Sequence, residues 1–201
     1  MGVAIEFIPV VRPFDLVGVQ NGRLGPCLLK SVYFAGIGHL SLHPKAARSW
    51  DAMAAACAAE TGEKLSCQGA YRPYEAQEKV FLQRYTSSYL PVRNVLTSQR
   101  QWQGKTWYLR RGNAPVATPG MSNHGIGLAV DVSVFKGGVQ RSVTSVPAVW
   151  DWLVANAVSF GFSWEGARPG QAGWEPWHLR LVTGDEIPNR VLDFEELLGQ
   201  K

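Results

Sequence analysis

The chain has 201 residues, of which 46% are hydrophobic and 18% charged. That is enough for one packed core without disulfide staples and too apolar for a disordered segment. Twenty Lys and Arg against 16 Asp and Glu leave a net charge of +4, a modest excess whose distribution says more than its sum. The longest uncharged stretch, Gly112 to Val130, carries Pro115, Pro119, Asn113, Asn123 and His124, so no membrane-spanning helix and no membrane insertion are expected.

The first helix is expected from Pro44 to Glu60, stopped by Gly62, with Trp50, Met53, Ala54 and Cys57 on one face. Strand character follows from Lys64 to Tyr71. A second helix opens at Pro73, with Ala76, Val80 and Phe81 forming its stripe. Lys105 to Arg110 reads as a strand, and the clearest strand is Leu128 to Val134. In it Leu128, Val130, Val132 and Val134 share one face, while Ala129, Asp131 and Ser133 share the other. A third helix follows Ser145 and Pro147, turning Val149, Trp152, Leu153, Ala157 and Phe160 inward before Gly161. His178 to Val182 is the last strand, and 184–201 is either a short terminal helix or the start of a linker. Helices and strands arrive without βαβ regularity. The expected fold is therefore α+β, an antiparallel sheet with helices packed mainly on one side, in a single domain over 1–201 with its motifs within about 42–182.

Between Glu78 and Asp131 there is no acidic residue, while Lys79, Arg84, Arg93, Arg100, Lys105, Arg110 and Arg111 all fall there. Tyr85, Tyr89, Trp102, Trp107 and Tyr108 are interleaved with them. This pattern is compatible with a strand-tracking nucleic-acid surface, with a cleft for an anionic polymer, or with a solvated loop whose aromatics fold inward. Cys27, Cys57 and Cys67 lack any Cys-x-x-Cys spacing, so buried free thiols are expected. A bridge between Cys57 and Cys67 is conceivable without being required. The eight tryptophans are expected to be core residues. The opening Met1-Gly2-Val3-Ala4-Ile5-Glu6 places an acid where a secretory leader needs basic residues. The expectation is synthesis in the cytoplasm without a signal peptide, and assisted release if the protein acts outside.

Two segments carry chemistry. Ser122-Asn123-His124-Gly125-Ile126-Gly127-Leu128-Ala129-Val130-Asp131 sets a His on a Gly-flanked turn and an Asp on the polar face of the following strand. Trp174-Glu175-Pro176-Trp177-His178 sets a carboxylate three residues before a second His. Two imidazoles and one carboxylate with a fourth position left to water form a catalytic zinc shell, whereas structural zinc is closed by four protein ligands. Glu175 then remains over as a general base. In a flat strand, positions 175 and 178 would face opposite ways, so a local turn must bring them together. His39 and His43 mimic a metal-protease spacing, but Leu40 stands where the glutamate belongs, and His43 reads as a helix-entry residue before Pro44.

Ser122-x-His124-x-x-Gly127-x-Ala129-x-Asp131, with Glu175-x-Trp177-His178, resembles the paired signature of the zinc D-alanyl-D-alanine carboxypeptidases and phage L-alanyl-D-glutamate endopeptidases. Tyr71-Arg72-Pro73-Tyr74-Glu75-Ala76-Gln77 is similar to that family's arginine-bearing segment, so the resemblance runs from about Leu42 to His178. It implies one zinc per chain on His124, Asp131 and His178, with Glu175 as base. It also implies Arg72 and Ser122 as groups that bind substrate and stabilise an oxyanion. Arg72 has a competing use in pairing with Glu75 or Glu78, and Ser122 in capping the turn before His124. The expected activity is hydrolysis of peptidoglycan stem peptides by a monomer without nucleic-acid partner, as a phage endolysin cutting L-Ala–D-Glu. Two alternatives stand beside it: a D-alanyl-D-alanine carboxypeptidase, and a non-catalytic zinc-containing binding module of the same fold, as in animal hedgehog signalling domains. A nucleic-acid binder using the basic stretch leaves the metal residues unexplained.

Overall fold

The structure is a computed structural model that describes residues 5–166, 169–171 and 173–199. Met1 to Ala4, on which part of the leader reading rests, lie outside the described residues, as do Gln200 and Lys201.

A hairpin of β1 (Lys30–Phe34) and β2 (Gly38–Leu42) leads into α1 (Pro44–Thr61), and β3 (Lys64–Gly69) and α2 (Tyr74–Arg84) follow. Pro44 occupies the first turn of α1, and Gly62 ends it in the left-handed region that the sequence punctuation demands. Next come β4 (Tyr85–Thr86), β5 (Asn94–Trp102) and β6 (Lys105–Arg110), then β7 (Ala129–Lys136) and β8 (Val139–Ser142). The chain closes with α3 (Pro147–Asn156), β9 (Phe162–Trp164), β10 (His178–Leu181) and α4 (Asn189–Gly199). The region 184–201 thus contains a helix, whose Val191 and Phe194 join the main core.

The central antiparallel sheet has the order β3-β7-β10-β9, with β8 also paired to β7. Leu128, Val130, Val132 and Val134 are all buried, as the alternation requires, and so are Ala129 and Ser133 on the opposite face. Asp131 is the position left partly open on that face. Against β3, α1 buries Trp50, Met53 and Cys57, and α3, which packs on α1, buries with its following turn Val149, Trp152, Leu153, Ala157 and Phe160.

Within the acid-free stretch, Tyr85 to Arg110 fold as a separate three-stranded sheet in the order β4-β6-β5. It has its own small core of Phe81, Tyr85 and Leu109, with Trp102 and Trp107 leaning on Phe81.

Three expectations need correction. Along α2 the inward row is Gln77 and Phe81 while Ala76 is exposed, because a buried glutamine amide with partners on both sides replaces the expected alanine. Cys27 is exposed, although Cys57 and Cys67 are buried free thiols. Trp177 is 42% exposed and does not belong to the core.

Candidate metal centre and active site

Four backbone segments converge on one end of the central sheet. His124 sits on a single 3-10 turn, Asn123–Ile126, capped by Ser122, whose Oγ accepts from the His124 N–H at 3.3 Å. Gly127 closes that turn at φ +68, and a Cβ there would lie 2.7 Å from the backbone N of His43. This tight approach is fixed by a hydrogen bond from the His43 N–H to the Gly127 carbonyl at 2.9 Å. Asp131 follows at the start of β7, and the β7–β10 register places His178 directly opposite it. The Arg72 N–H donates to the His124 carbonyl at 3.0 Å, so the arginine segment and the histidine turn are joined through the main chain.

His124, Asp131 and His178 form the metal-competent cluster found among the described residues, with one donor atom from each lying within 4.8 Å of the others. Asp131 Oδ1 is 3.3 Å from His124 Nε2 and 3.0 Å from His178 Nδ1. Tetrahedral zinc with bonds of about 2.0–2.1 Å separates its donors by roughly 3.3–3.4 Å, so these two edges nearly match an assembled shell. The far ring nitrogens are committed elsewhere. His124 Nδ1 faces the Ala70 carbonyl at 2.8 Å, and His178 Nε2 faces Glu165 Oε2 at 3.3 Å. With those two nitrogens protonated and donating, Nε2 of His124 and Nδ1 of His178 are left as lone-pair donors, the arrangement that metal-binding histidines use.

The remaining polar groups frame this centre. Glu175 comes near His178 because the His178 N–H donates to the Glu175 carbonyl at 3.0 Å, which is the local turn the spacing required. Burial raises the Glu175 carboxyl above the ordinary carboxylate range; His178 pulls it back, and Asp131 and Glu165 push it further up. A carboxylate of raised basicity beside a metal centre suits proton abstraction. Arg72 is half-buried, and its Nη1 donates to Gln77 Oε1 at 2.9 Å while Gln77 Nε2 donates to the Ala117 carbonyl at 2.6 Å. Burial lowers the Arg72 guanidinium's pKa, with the charges of Asp131 and Glu175 opposing that shift. The competing use of Arg72 is not realised among the described residues: Glu75 pairs with Arg23, and Arg72 forms no ion pair with Glu78. For Ser122 the capping contact is the one observed.

His43 caps α1, its Nδ1 accepting from the Lys45 N–H at 3.4 Å and its Nε2 facing Asp15 at 3.2 Å, while His39 is exposed on β2. The pair forms no metal cluster among the described residues.

Sequence reasoning missed three contributors. Glu165 supports His178, Asn123 donates to Glu165 Oε2 at 3.1 Å, and Gly69 sits where a Cβ would lie 2.5 Å from Asp131 Oδ2. Gly69 occupies the β-bulge where the β3–β7 register shifts, and only a residue without a side chain leaves the Asp131 carboxylate in place.

An antiparallel α+β domain presenting two histidines, an aspartate and a spare glutamate has the make-up of a mononuclear metallohydrolase. The profile of the VanY family, D-alanyl-D-alanine carboxypeptidase, matches residues 39–184, and the chain belongs to that family. A D-alanyl-D-alanine carboxypeptidase of Enterococcus faecalis is 28% identical over 136 residues, 64% of this chain and 45% of that protein. Among solved structures, the LD-carboxypeptidase LdcB, described in terms of peptidoglycan recognition, superposes with a TM-score of 0.56 at 25% identity. That match covers 87% of this chain and 76% of the other. A variant of the D,D-pentapeptidase VanY from a VanB-type resistance cassette, crystallised with Zn(II), shares the fold at 21% identity and a TM-score of 0.51, over 90% and 97% of the two chains. The chain spans less than half the length of the curated relatives it matches.

Proposed function

We propose that the protein is a zinc-dependent D,D-carboxypeptidase that removes the terminal D-alanine of peptidoglycan stem peptides. The observation that carries this reading is the donor set of His124, Asp131 and His178, in which Asp131 Oδ1 lies 3.3 and 3.0 Å from one nitrogen of each histidine, in a chain of the VanY family. Both histidines have their second nitrogen occupied by an acceptor, which fits zinc better than a structural ion-pair cluster. Zinc held there would supply Lewis-acid polarisation of the scissile carbonyl and an acidified water. Glu175, half-buried and of raised basicity, accepts the proton from the attacking water and passes it to the leaving amine.

A carboxypeptidase must read a free terminal carboxylate, and Arg72 offers a planar donor fork held in orientation by Gln77. Ser122 enters through the turn that it caps, which sets the orientation of His124. The family and its bacterial carboxypeptidase relatives favour this bond over the L-Ala–D-Glu cut that the sequence pattern suggested.

The test is incubation of the zinc-loaded protein with a soluble stem peptide ending in D-Ala-D-Ala, followed by mass spectrometry. Release of one D-alanine is expected. Cleavage between L-Ala and D-Glu with the D-Ala-D-Ala end intact would overturn the bond assignment. Absence of any turnover by zinc-loaded protein would favour a binding module of the same fold.

A further inference from the structure

Charge is segregated along this chain to a degree its total conceals. Residues 79–130 hold seven cations and no acid, net +7, while the rest of the chain is net −3. Within it, Tyr85 to Arg110 form the three-stranded sheet with its own small core, and Arg93, Arg100, Lys105 and Arg110, with Arg111 directly after it, make that sheet a basic arm. Among the described residues, the ion pairs of the molecule involve none of these seven cations.

Three of them meet at one corner. Arg110 lies opposite Asn94 in the β5–β6 register, which places Arg93 beside it, and the Arg111 N–H donates to the Arg93 carbonyl at 2.8 Å. All three side chains are exposed. Next to them Tyr89 packs on Tyr108, with ring centroids 4.8 Å apart, and Leu90 and Val92 are 50% and 86% exposed. The corner therefore combines guanidinium groups that, among the described residues, have no carboxylate partner with small apolar faces.

The arm is anchored to the cleft. Its return segment is tied to α2 by Arg84, which donates to the Ala114 carbonyl at 3.2 Å, and by Gln77, which donates to the Ala117 carbonyl at 2.6 Å. Gln77 also holds Arg72. A ligand lying across the arm and one lying in the cleft therefore contact a continuous piece of structure.

We propose that the basic arm is a docking surface for the polymeric wall substrate, binding carboxylates on stem peptides other than the one in the cleft. This rests on reading the chain as a peptidoglycan peptidase. A peptide-bearing glycan presents stems repeatedly along one strand, so one stem reaches the metal centre while its neighbours reach the arginine corner. Arginine forks match carboxylates, and the exposed apolar side chains of Leu90 and Val92 suit the C–H faces of sugar rings. A single-stranded nucleic acid fits less well, because it needs a run of open aromatic platforms. Here Trp102 and Trp107 turn onto Phe81, and Tyr89 is engaged by Tyr108.

The experiment is co-sedimentation of the intact zinc protein with purified sacculi stripped of phosphate-containing polymers, at low and high salt. Single-stranded DNA and unstripped sacculi run in parallel. The R93A/R110A/R111A variant is expected to bind stripped sacculi about tenfold more weakly, the combined size of three exposed charge pairs. The wild type should lose affinity with added salt more steeply than the variant. Because Arg111 also donates to the Pro91 carbonyl at 3.1 Å, R93E/R110E serves as a second variant that keeps that contact, and it should bind more weakly still. Equal retention of wild type and both variants, retention confined to unstripped walls, or preference for DNA would each overturn the proposal. Release of D-alanine from a soluble stem by the wild type is scored separately. Its failure would count against the hydrolytic reading, while arginine-dependent wall binding would still stand or fall by sedimentation.

Discussion

Replacing Gly69 by alanine tests how closely the metal centre depends on the absence of one methyl group. An ideal Cβ at position 69 would lie 2.5 Å from Asp131 Oδ2, 3.3 Å from its Cγ and 3.5 Å from His124 Cε1. A carbon and an oxygen in ordinary contact sit at roughly 3.3 Å, so the carboxylate or the strand must yield by about 0.8 Å, whereas zinc tolerates donor errors of only about 0.2 Å. The obstacle is not the flexible end of a long side chain. Asp131 is held on both sides by His124 and His178 and stands on β7, the strand that pairs with the bulged strand carrying Gly69. Zinc affinity is therefore expected to fall by at least the 10–100-fold typical of disturbing the groups that orient metal ligands. Competition against a chromophoric zinc chelator measures this, with circular dichroism confirming that the variant is folded. Gly69→Ser should be at least as damaging. A folded Gly69→Ala protein that holds zinc as tightly as wild type would refute the argument and show that Asp131 has freedom the geometry does not suggest.

Three further outcomes follow from the same geometry. Glu175→Ala should retain zinc by elemental analysis yet lose turnover of a D-Ala-D-Ala stem by about 10²-fold or more, the usual size of a general acid–base contribution. Arg72→Lys should be nearly as harmful to turnover as Arg72→Ala, because lysine keeps the charge but loses the fork that Gln77 orients; full activity in the lysine variant would show that charge alone matters. Glu165→Ala should weaken zinc binding by about 10–100-fold in the chelator competition and Glu165→Gln by less, since the amide oxygen can still accept from His178 Nε2.

The sequence disclosed the elements whose boundaries carry their own punctuation. Pro44 and Gly62 bracket α1, Pro147 and Gly161 bracket α3 and its extension, and strict alternation marks β7. The sequence did not disclose β1, β2, β4, β5, β8 and β9, whose ranges lack sustained apolar alternation and are set by pairing with partner strands. The metal donors could be read because they sit in compact local patterns, and the structure brings all three together. Glu165 could not, since nothing near it in sequence marks it. It reaches His178 because Trp164 pairs with Leu179 in antiparallel register, which puts the residue after Trp164 beside the residue before Leu179, thirteen positions further along the chain. Gly69 was hidden for a related reason, as its importance arises from a register shift between β3 and β7. A buried polar residue misled pattern reading in the same way: Gln77 on α2 turns inward because the Ala117 carbonyl accepts from its amide.

The charges around His178 also determine how the metal-free protein responds to pH. Burial opposes protonation of its ring, but hydrogen bonds and charge from Asp131 and Glu165 outweigh that effect and raise its pKa to about 9. Without metal, an imidazolium thus sits between two carboxylates and occupies the electrostatic role of a cation. The folded pKa lies above the ordinary value of 6.5, so the stabilisation is fully present below about pH 6.5 and is lost as pH rises toward 9. The window is worth about 3 kcal/mol at 1.36 kcal/mol per unit. The depression of the Asp131 carboxyl is the same interaction seen from its partner and adds nothing further. Zinc requires the neutral ring, so its binding must release this proton at neutral pH. Denaturation of chelator-treated protein should therefore show stability falling across that window, a fall absent from His178→Ala. Calorimetry of zinc binding in buffers of different ionisation enthalpy should show proton release that the same variant lacks. If His178→Ala reproduces the wild-type slope in the metal-free state, the proton resides elsewhere, and His178 is not the cation that holds the empty centre together.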